Sequence, residues 1–206
     1  MKRLLFGGTF DPIHAGHLAV AEAAGRALGA DRVSLIPAWI SPHKSATSAA
    51  PEDRLEMCRL AVAGNDLLEV LDVEIRRGGR SYTYDTVRAL LDGPFRGDQV
   101  MLLVGQDALA DLPRWHRAAE LAALVPIAVA PRPGAAAPDW PALAAALGAS
   151  AASGMKSRFL ALPPSVVSST AVRDRLAAGK SIRCWVPDAV VDYVEARGLY
   201  RTAAKP

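Results

Sequence analysis

Residues Met1–Leu18 read MKRLLFGGTFDPIHAGHL. Leu4, Leu5 and Phe6 form an apolar run that Gly7 and Gly8 break, which predicts a buried strand entering a tight turn. Past Pro12 the pattern changes, and Ala15 to Leu28, rich in alanine and leucine, predicts a helix. Strand, glycine turn and helix start together build an anion site. Glycine lets the backbone approach a ligand, and the helix entrance offers amides and the positive end of its dipole. His14 and His17 stand three residues apart and project from one face of that entrance. Each can donate to a phosphate oxygen, and a protonated imidazole would add charge where a triphosphate needs it.

Working outward, Arg32 to Pro37 (RVSLIP) predicts a second strand, so strand, helix and strand form a right-handed βαβ unit with a parallel sheet. Pro51, Glu52 and Asp53 open a helix whose Leu55, Cys58 and Val62 share a face. Strands are expected at Leu68–Ile75, Val100–Val104, Ile127–Ala130 and Arg158–Leu162, and the wholly apolar VMLLV run at Val100 is central. Helices are expected at Ser81–Leu91, near Trp115, at Glu120–Leu124, from Ser168 to Ala178 and from Pro187 to Arg197. The alanine-rich Gly134–Gly154 carries no assigned chemistry. Six strand-like runs alternating with helices indicate an α/β doubly wound parallel sheet with helices on both faces, in which ligands bind beyond the carboxyl ends of the strands. Gly8-Thr9, Trp39 to Lys44 and Gly105 to Asp107 all fall there. No G-x-G-x-x-G fingerprint is present, which speaks against a resident NAD cofactor.

The chain has 206 residues, 51% hydrophobic and 22% charged, which suits one domain over residues 1–200 with a flexible tail at 201–206. Two distant cysteines form no disulfide framework, and Leu4–Phe6 is too short for a signal-peptide core, so a cytoplasmic location is expected. A formal charge of +3 suits small anionic ligands. No run of five or six basic residues calls for nucleic acid, and no stretch has the length of a membrane span. A homo-oligomer stays open. The two histidines could instead cap a helix or form half a zinc site, but His43, His116, Cys58 and Cys184 show no ligand-like spacing, so no metal site is assigned.

Gly7-Gly8-Thr9-Phe10-Asp11-Pro12 followed by His14-Ala15-Gly16-His17 resembles the glycine turn and H-x-G-H signature of the Rossmann-like nucleotidyltransferases, and most of all the bacterial nicotinate-nucleotide adenylyltransferases. The resemblance implies that Gly7, Gly8, Thr9, Phe10, His14 and His17 bind ATP. It implies that Lys44, in Pro42-His43-Lys44, reaches the nucleotide phosphates, although Trp39-Ile40-Ser41 departs from the residues common before it. Ser81-Tyr82-Thr83-Tyr84-Asp85-Thr86 resembles a segment that recognises the nicotinate ring and its carboxylate. Ser81 or Thr83 can equally cap a helix, and a helix start is itself a carboxylate site. Gly105-Gln106-Asp107 with Trp115 resembles G-x-D and L-x-x-W, implying that Asp107 holds a ribose or neighbouring cations while Trp115 stacks on the pyridine ring. Val167-Ser168-Ser169-Thr170-Ala171-Val172-Arg173 resembles a second phosphate-binding helix start in which Arg173 grips the β and γ phosphates. Together with the closing segment from Ser181 to Tyr200, the matches run in order along nearly the whole chain.

The expected reaction is adenylyl transfer from ATP, with Mg²⁺ arriving on the nucleotide, to nicotinate mononucleotide, with pyrophosphate leaving. His14, His17, Lys44 and Arg173 are the expected catalytic donors. The competing readings are a sibling adenylyl- or cytidylyltransferase acting on nicotinamide mononucleotide, phosphopantetheine or glycerol 3-phosphate, and a nucleotide sensor without turnover.

Overall fold

The computed structural model describes residues 1–42, 47–162 and 167–201. In chain order the elements are β1 (Lys2–Gly8), α1 (Ala15–Leu28), β2 (Arg32–Pro37), α2 (Pro51–Val62), β3 (Leu68–Val70), α3 (Val73–Arg77), α4 (Thr83–Asp92) and β4 (Gln99–Gly105). They continue with α5 (Ala118–Leu124), β5 (Ile127–Ala130), α6 (Trp140–Leu147), α7 (Ala149–Ser157), α8 (Ser169–Ala177) and α9 (Asp188–Arg197). Short 3₁₀ turns at Gln106–Ala108 and Leu112–Arg114 lie between β4 and α5.

The strands form one parallel sheet in the order β3-β2-β1-β4-β5, with Leu4 opposite both Val33 and Met101. Alternation along the strands sends neighbouring side chains to opposite faces. Leu4, Leu35 and Leu103 pack with α1, α2, α8 and α9, while Leu5, Ile36, Leu102 and Val104 pack with α4, α5, α6 and α7. This is the doubly wound architecture expected of strands apolar on both faces. The order reverses between β1 and β4, which opens a crevice above their carboxyl ends.

Two expectations, on the third and sixth strands, are corrected. The third strand ends at Val70 rather than Ile75, after the Leu71 amide makes a last bond to the Leu35 carbonyl (2.9 Å). The chain then coils into α3, which turns Glu74 inward, where its carboxylate accepts from the Thr86 hydroxyl at 2.6 Å. The sixth strand is a single parallel bridge between Val129 and Phe159. Arg158 still caps α7 by donating its amide to the Gly154 and Met155 carbonyls, so too little chain remains extended for a ladder. The alanine-rich segment holds two helices, α6 and α7, which bury Leu143, Leu147, Ala152 and Met155 against the second face.

Candidate active site

A cleft of about 600 Å³ lies at the crevice, floored by the carboxyl ends of β1 and β4. Among its lining residues are Gly7, Gly8, Thr9, Phe10, His14, His17, Ser81, Tyr82, Thr83, Gly105, Asp107, Trp115, Ser168, Ser169, Thr170 and Arg173. Residues more than 160 positions apart in sequence thus share one cavity. Among the described candidates Tyr84 is the exception. Tyr84 lies in the first turn of α4, and its ring instead carries the Arg117 guanidinium, 4.1 Å from the ring centre. Lys44 lies outside the described residues.

The turn after β1 is built by packing. A Cβ on Gly8 would stand 2.8 Å from the Phe10 ring, so only glycine lets that ring fold beneath the backbone. Phe10 is buried, has a left-handed φ of 49°, and sits edge-on to Phe6 and His17 at 5.7 and 5.0 Å. Its side chain is therefore a wedge, and only its backbone is free to meet a nucleotide. The carboxylate of Asp11 accepts the amides of Ser48 (2.7 Å) and Ala49 (3.1 Å) and the hydroxyl of Tyr200 (2.8 Å).

At the α1 entrance His14 is the N-cap, its Nδ1 accepting the His17 amide at 3.3 Å, and the two rings stack 3.7 Å apart. Burial, and then the nearby positive charge of Arg132, lowers the His14 pKa to about 4. The expected imidazolium at this position is therefore corrected: near neutral pH His14 is neutral, its Nδ1 occupied as acceptor, so Nε2 carries the proton and is a neutral donor. The supply of amides is also smaller than expected. That of Ala15 donates to the Trp185 carbonyl (2.8 Å) and that of His17 to His14, which leaves Gly16 in the first turn, and Gly16 lines the cleft.

The α8 entrance meets the same turn from the other side. Ser168 caps it, its Oγ accepting the Ala171 amide at 3.2 Å. Ser169 Oγ donates to the Pro12 carbonyl (2.9 Å), and Arg173 donates to the Asp11 carbonyl (2.6 Å) and the Thr170 hydroxyl (3.3 Å). Arg173 thus ties the two helix starts together while facing the cavity.

On the wall where the rings of Tyr82 and His116 meet at 4.6 Å, the cleft is also lined by Ser81, Thr83 and Trp115. Ser81 is not the cap of α4: its Oγ accepts the Trp39 amide at 2.9 Å, and Tyr82 occupies the cap position without a side-chain bond. Glu74 also lines this wall, its pKa raised by burial against the opposing hydrogen bonds of Thr86 and Ser81. At the end of β4, a Cβ on Gly105 would meet the Asp107 carboxylate at 2.6 Å, so glycine lets that carboxylate fold back. Asp107 pairs with Arg132 at 2.5 Å, both about half exposed.

A family profile described as cytidylyltransferase-like matches residues 5–175. A Roseiflexus sp. (strain RS-1) protein named "probable nicotinate-nucleotide adenylyltransferase" is 48% identical over 200 residues, covering 96% of this chain and 96% of its own. A Pseudomonas syringae pv. tomato protein of the same name is 41% identical, covering 96% of this chain and 92% of its own. The chain belongs to the nicotinate-nucleotide adenylyltransferase family. Its fold is shared by a Plasmodium falciparum nicotinic acid mononucleotide adenylyltransferase solved in complexes with NaAD and with APC, at TM-scores of 0.75 and 0.73 and identities of 17% and 16%. Each covers 97% of this chain and 98% of that structure.

Read as a member of the nicotinate-nucleotide adenylyltransferases, the chain carries site features that sequence reasoning missed. The His116 ring centre lies 4.6 Å from that of Tyr82, and His116 lines the cleft with no spacing signal to announce it. Arg132 faces Asp107 from the end of β5, a pairing set only by strand order. Asp11 stands inside the motif, yet its partner Tyr200 is 189 residues away. Among the described residues no group of three or more His, Cys, Asp or Glu is placed to hold a metal, and no helix is long and apolar enough to cross a membrane.

Proposed function

We propose that this chain transfers the adenylyl group of ATP to nicotinate mononucleotide, yielding nicotinate adenine dinucleotide and pyrophosphate. Family membership supports the reaction. The observation that carries it is that one cleft collects two helix starts on one side and a tryptophan with a hydroxyl-bearing helix start on the other. A phosphate oxygen of the mononucleotide attacks the α-phosphorus in line. The new P–O bond forms as the bond to the bridging α,β oxygen breaks, and that oxygen leaves on pyrophosphate. The attacking phosphate is anionic already, so no general base is needed, and catalysis comes from alignment and from donors at the growing charge.

In this reading the Gly7–Phe10 turn and the Gly16 amide approach the triphosphate. His14 donates a neutral N–H, and His17, Arg173 and Lys44 supply the remaining contacts. Ser168, Ser169 and Thr170 present the second helix start, and Gly105 with Asp107 borders the ribose. Trp115 stacks on the pyridine, while Ser81, Tyr82 and Thr83 bring the α4 entrance to its carboxylate. Mg²⁺ enters on ATP as part of the substrate, held by phosphate oxygens and water, and neutralises charge there.

Pyrophosphate release, measured with ATP and each acceptor in turn, tests the assignment. Turnover is expected with nicotinate mononucleotide, less with nicotinamide mononucleotide and none with phosphopantetheine or glycerol 3-phosphate. Release with none of these acceptors would overturn the reading.

A further inference from the structure

Arg54, in the first turn of α2, heads the largest fully buried side chains among the described residues, at 0% exposure. A buried guanidinium is held against its loss of hydration by its hydrogen bonds, and those of Arg54 run to backbone. One terminal nitrogen donates to the Thr9 carbonyl at 2.6 Å, and the other to the carbonyls of Ala38 (2.6 Å) and Trp39 (3.0 Å). Asp11 and Glu52 contribute negative charge nearby.

The three carbonyls come from two segments with different tasks. Thr9 belongs to the phosphate turn after β1, while Ala38 and Trp39 follow β2. The two strands stop pairing at Gly8 and Pro37, with a last bond from the Ala38 amide to the Gly8 carbonyl at 2.9 Å. Arg54 ties them together just beyond that point. The Ala38–Trp39 peptide passes the contact onward: its carbonyl accepts from Arg54, and its N–H donates to Ser81 Oγ at 2.9 Å, on the acceptor wall. A planar guanidinium fixes its donors relative to one another, as a lysine ammonium cannot.

We propose that Arg54 is a positioning residue that sets the separation between the phosphate turn and the acceptor pocket, and hence the alignment of the attacking oxygen with the α-phosphorus. The proposal rests on the adenylyl-transfer reading. It differs from a merely structural role in what it predicts for each substrate separately. Each half of the cleft keeps its own contacts when the tie is lost, whereas the approach of one half to the other does not survive.

Arg54→Lys, checked for folding by circular dichroism, should therefore bind ATP alone and nicotinate mononucleotide alone within about threefold of wild type, while kcat falls about tenfold or more. A kcat within about twofold of wild type overturns the proposal, as does a rate loss matched by weakened binding of one substrate. Should the variant fail to fold, the ¹⁵N guanidinium resonances of Arg54 in the wild-type protein decide. Each substrate added alone should shift them, and a response to one or to neither refutes the tie. A wild type inactive with both substrates overturns the adenylyl-transfer reading and this proposal together; an active wild type with an unimpaired Arg54→Lys overturns the proposal alone.

Discussion

His14→Asn isolates a single titration inside the cleft. In the folded chain the His14 pKa lies at about 4, against an ordinary 6.5, chiefly because the ring is buried and secondly because Arg132 is near. The unfolded chain therefore binds a proton below pH 6.5 that the folded chain refuses until about pH 4. Stability from this group is complete above the unfolded value and is lost as pH falls through that window. Integrated over the window, the linkage is worth about 3 kcal/mol, of which about 2 kcal/mol has gone by about pH 5. Asparagine retains an N-cap acceptor for the His17 amide and removes the titration. Urea unfolding of wild type and His14→Asn near pH 8 and near pH 5 reads the difference directly. Wild type should lose about 2 kcal/mol more than the variant on acidification. Equal losses, or an imidazole NMR titration centred near 6.5, would refute the neutral-donor assignment.

His17→Ala removes a donor proposed to face the transferring phosphates and should lower kcat by roughly a hundredfold or more, read by pyrophosphate release; unchanged turnover removes His17 from the catalytic set. Trp115→Ala should weaken binding of nicotinate mononucleotide and leave ATP affinity nearly intact in calorimetric titrations, whereas equal loss for both substrates would make Trp115 a packing residue. Gly8→Ala forces a Cβ to within 2.8 Å of the Phe10 ring, and should cost roughly 1–3 kcal/mol in urea unfolding. An unchanged midpoint would mean that the turn has room to relax.

Much of this site was legible because its parts are local. A glycine turn between an apolar strand and a helix, and a serine followed by an arginine one turn on, state their geometry within a few residues. Ala15–Leu28 and Ser168 as a helix cap needed no distant partner, and both stand as expected. The misreadings arose where a distant partner outbid a local preference. Ser81 was a fair candidate cap, yet the Trp39 amide reaches its hydroxyl first. Val73 to Ile75 alternates like a strand, but burying Glu74 against Thr86 favours a helical turn.

By itself the sequence determined where the five paired strands lie, the parallel sheet they imply and the two helix starts that flank the cleft, since propensity, periodicity and turn chemistry act over a few residues. Only the tertiary structure decided which of those groups remain available. It gives the Ala15 amide to Trp185, keeps His14 neutral, buries Arg54 beneath the floor and sets Tyr200 on Asp11. Desolvation and the choice of a distant partner depend on how the whole chain closes around a group, and no local window contains that information.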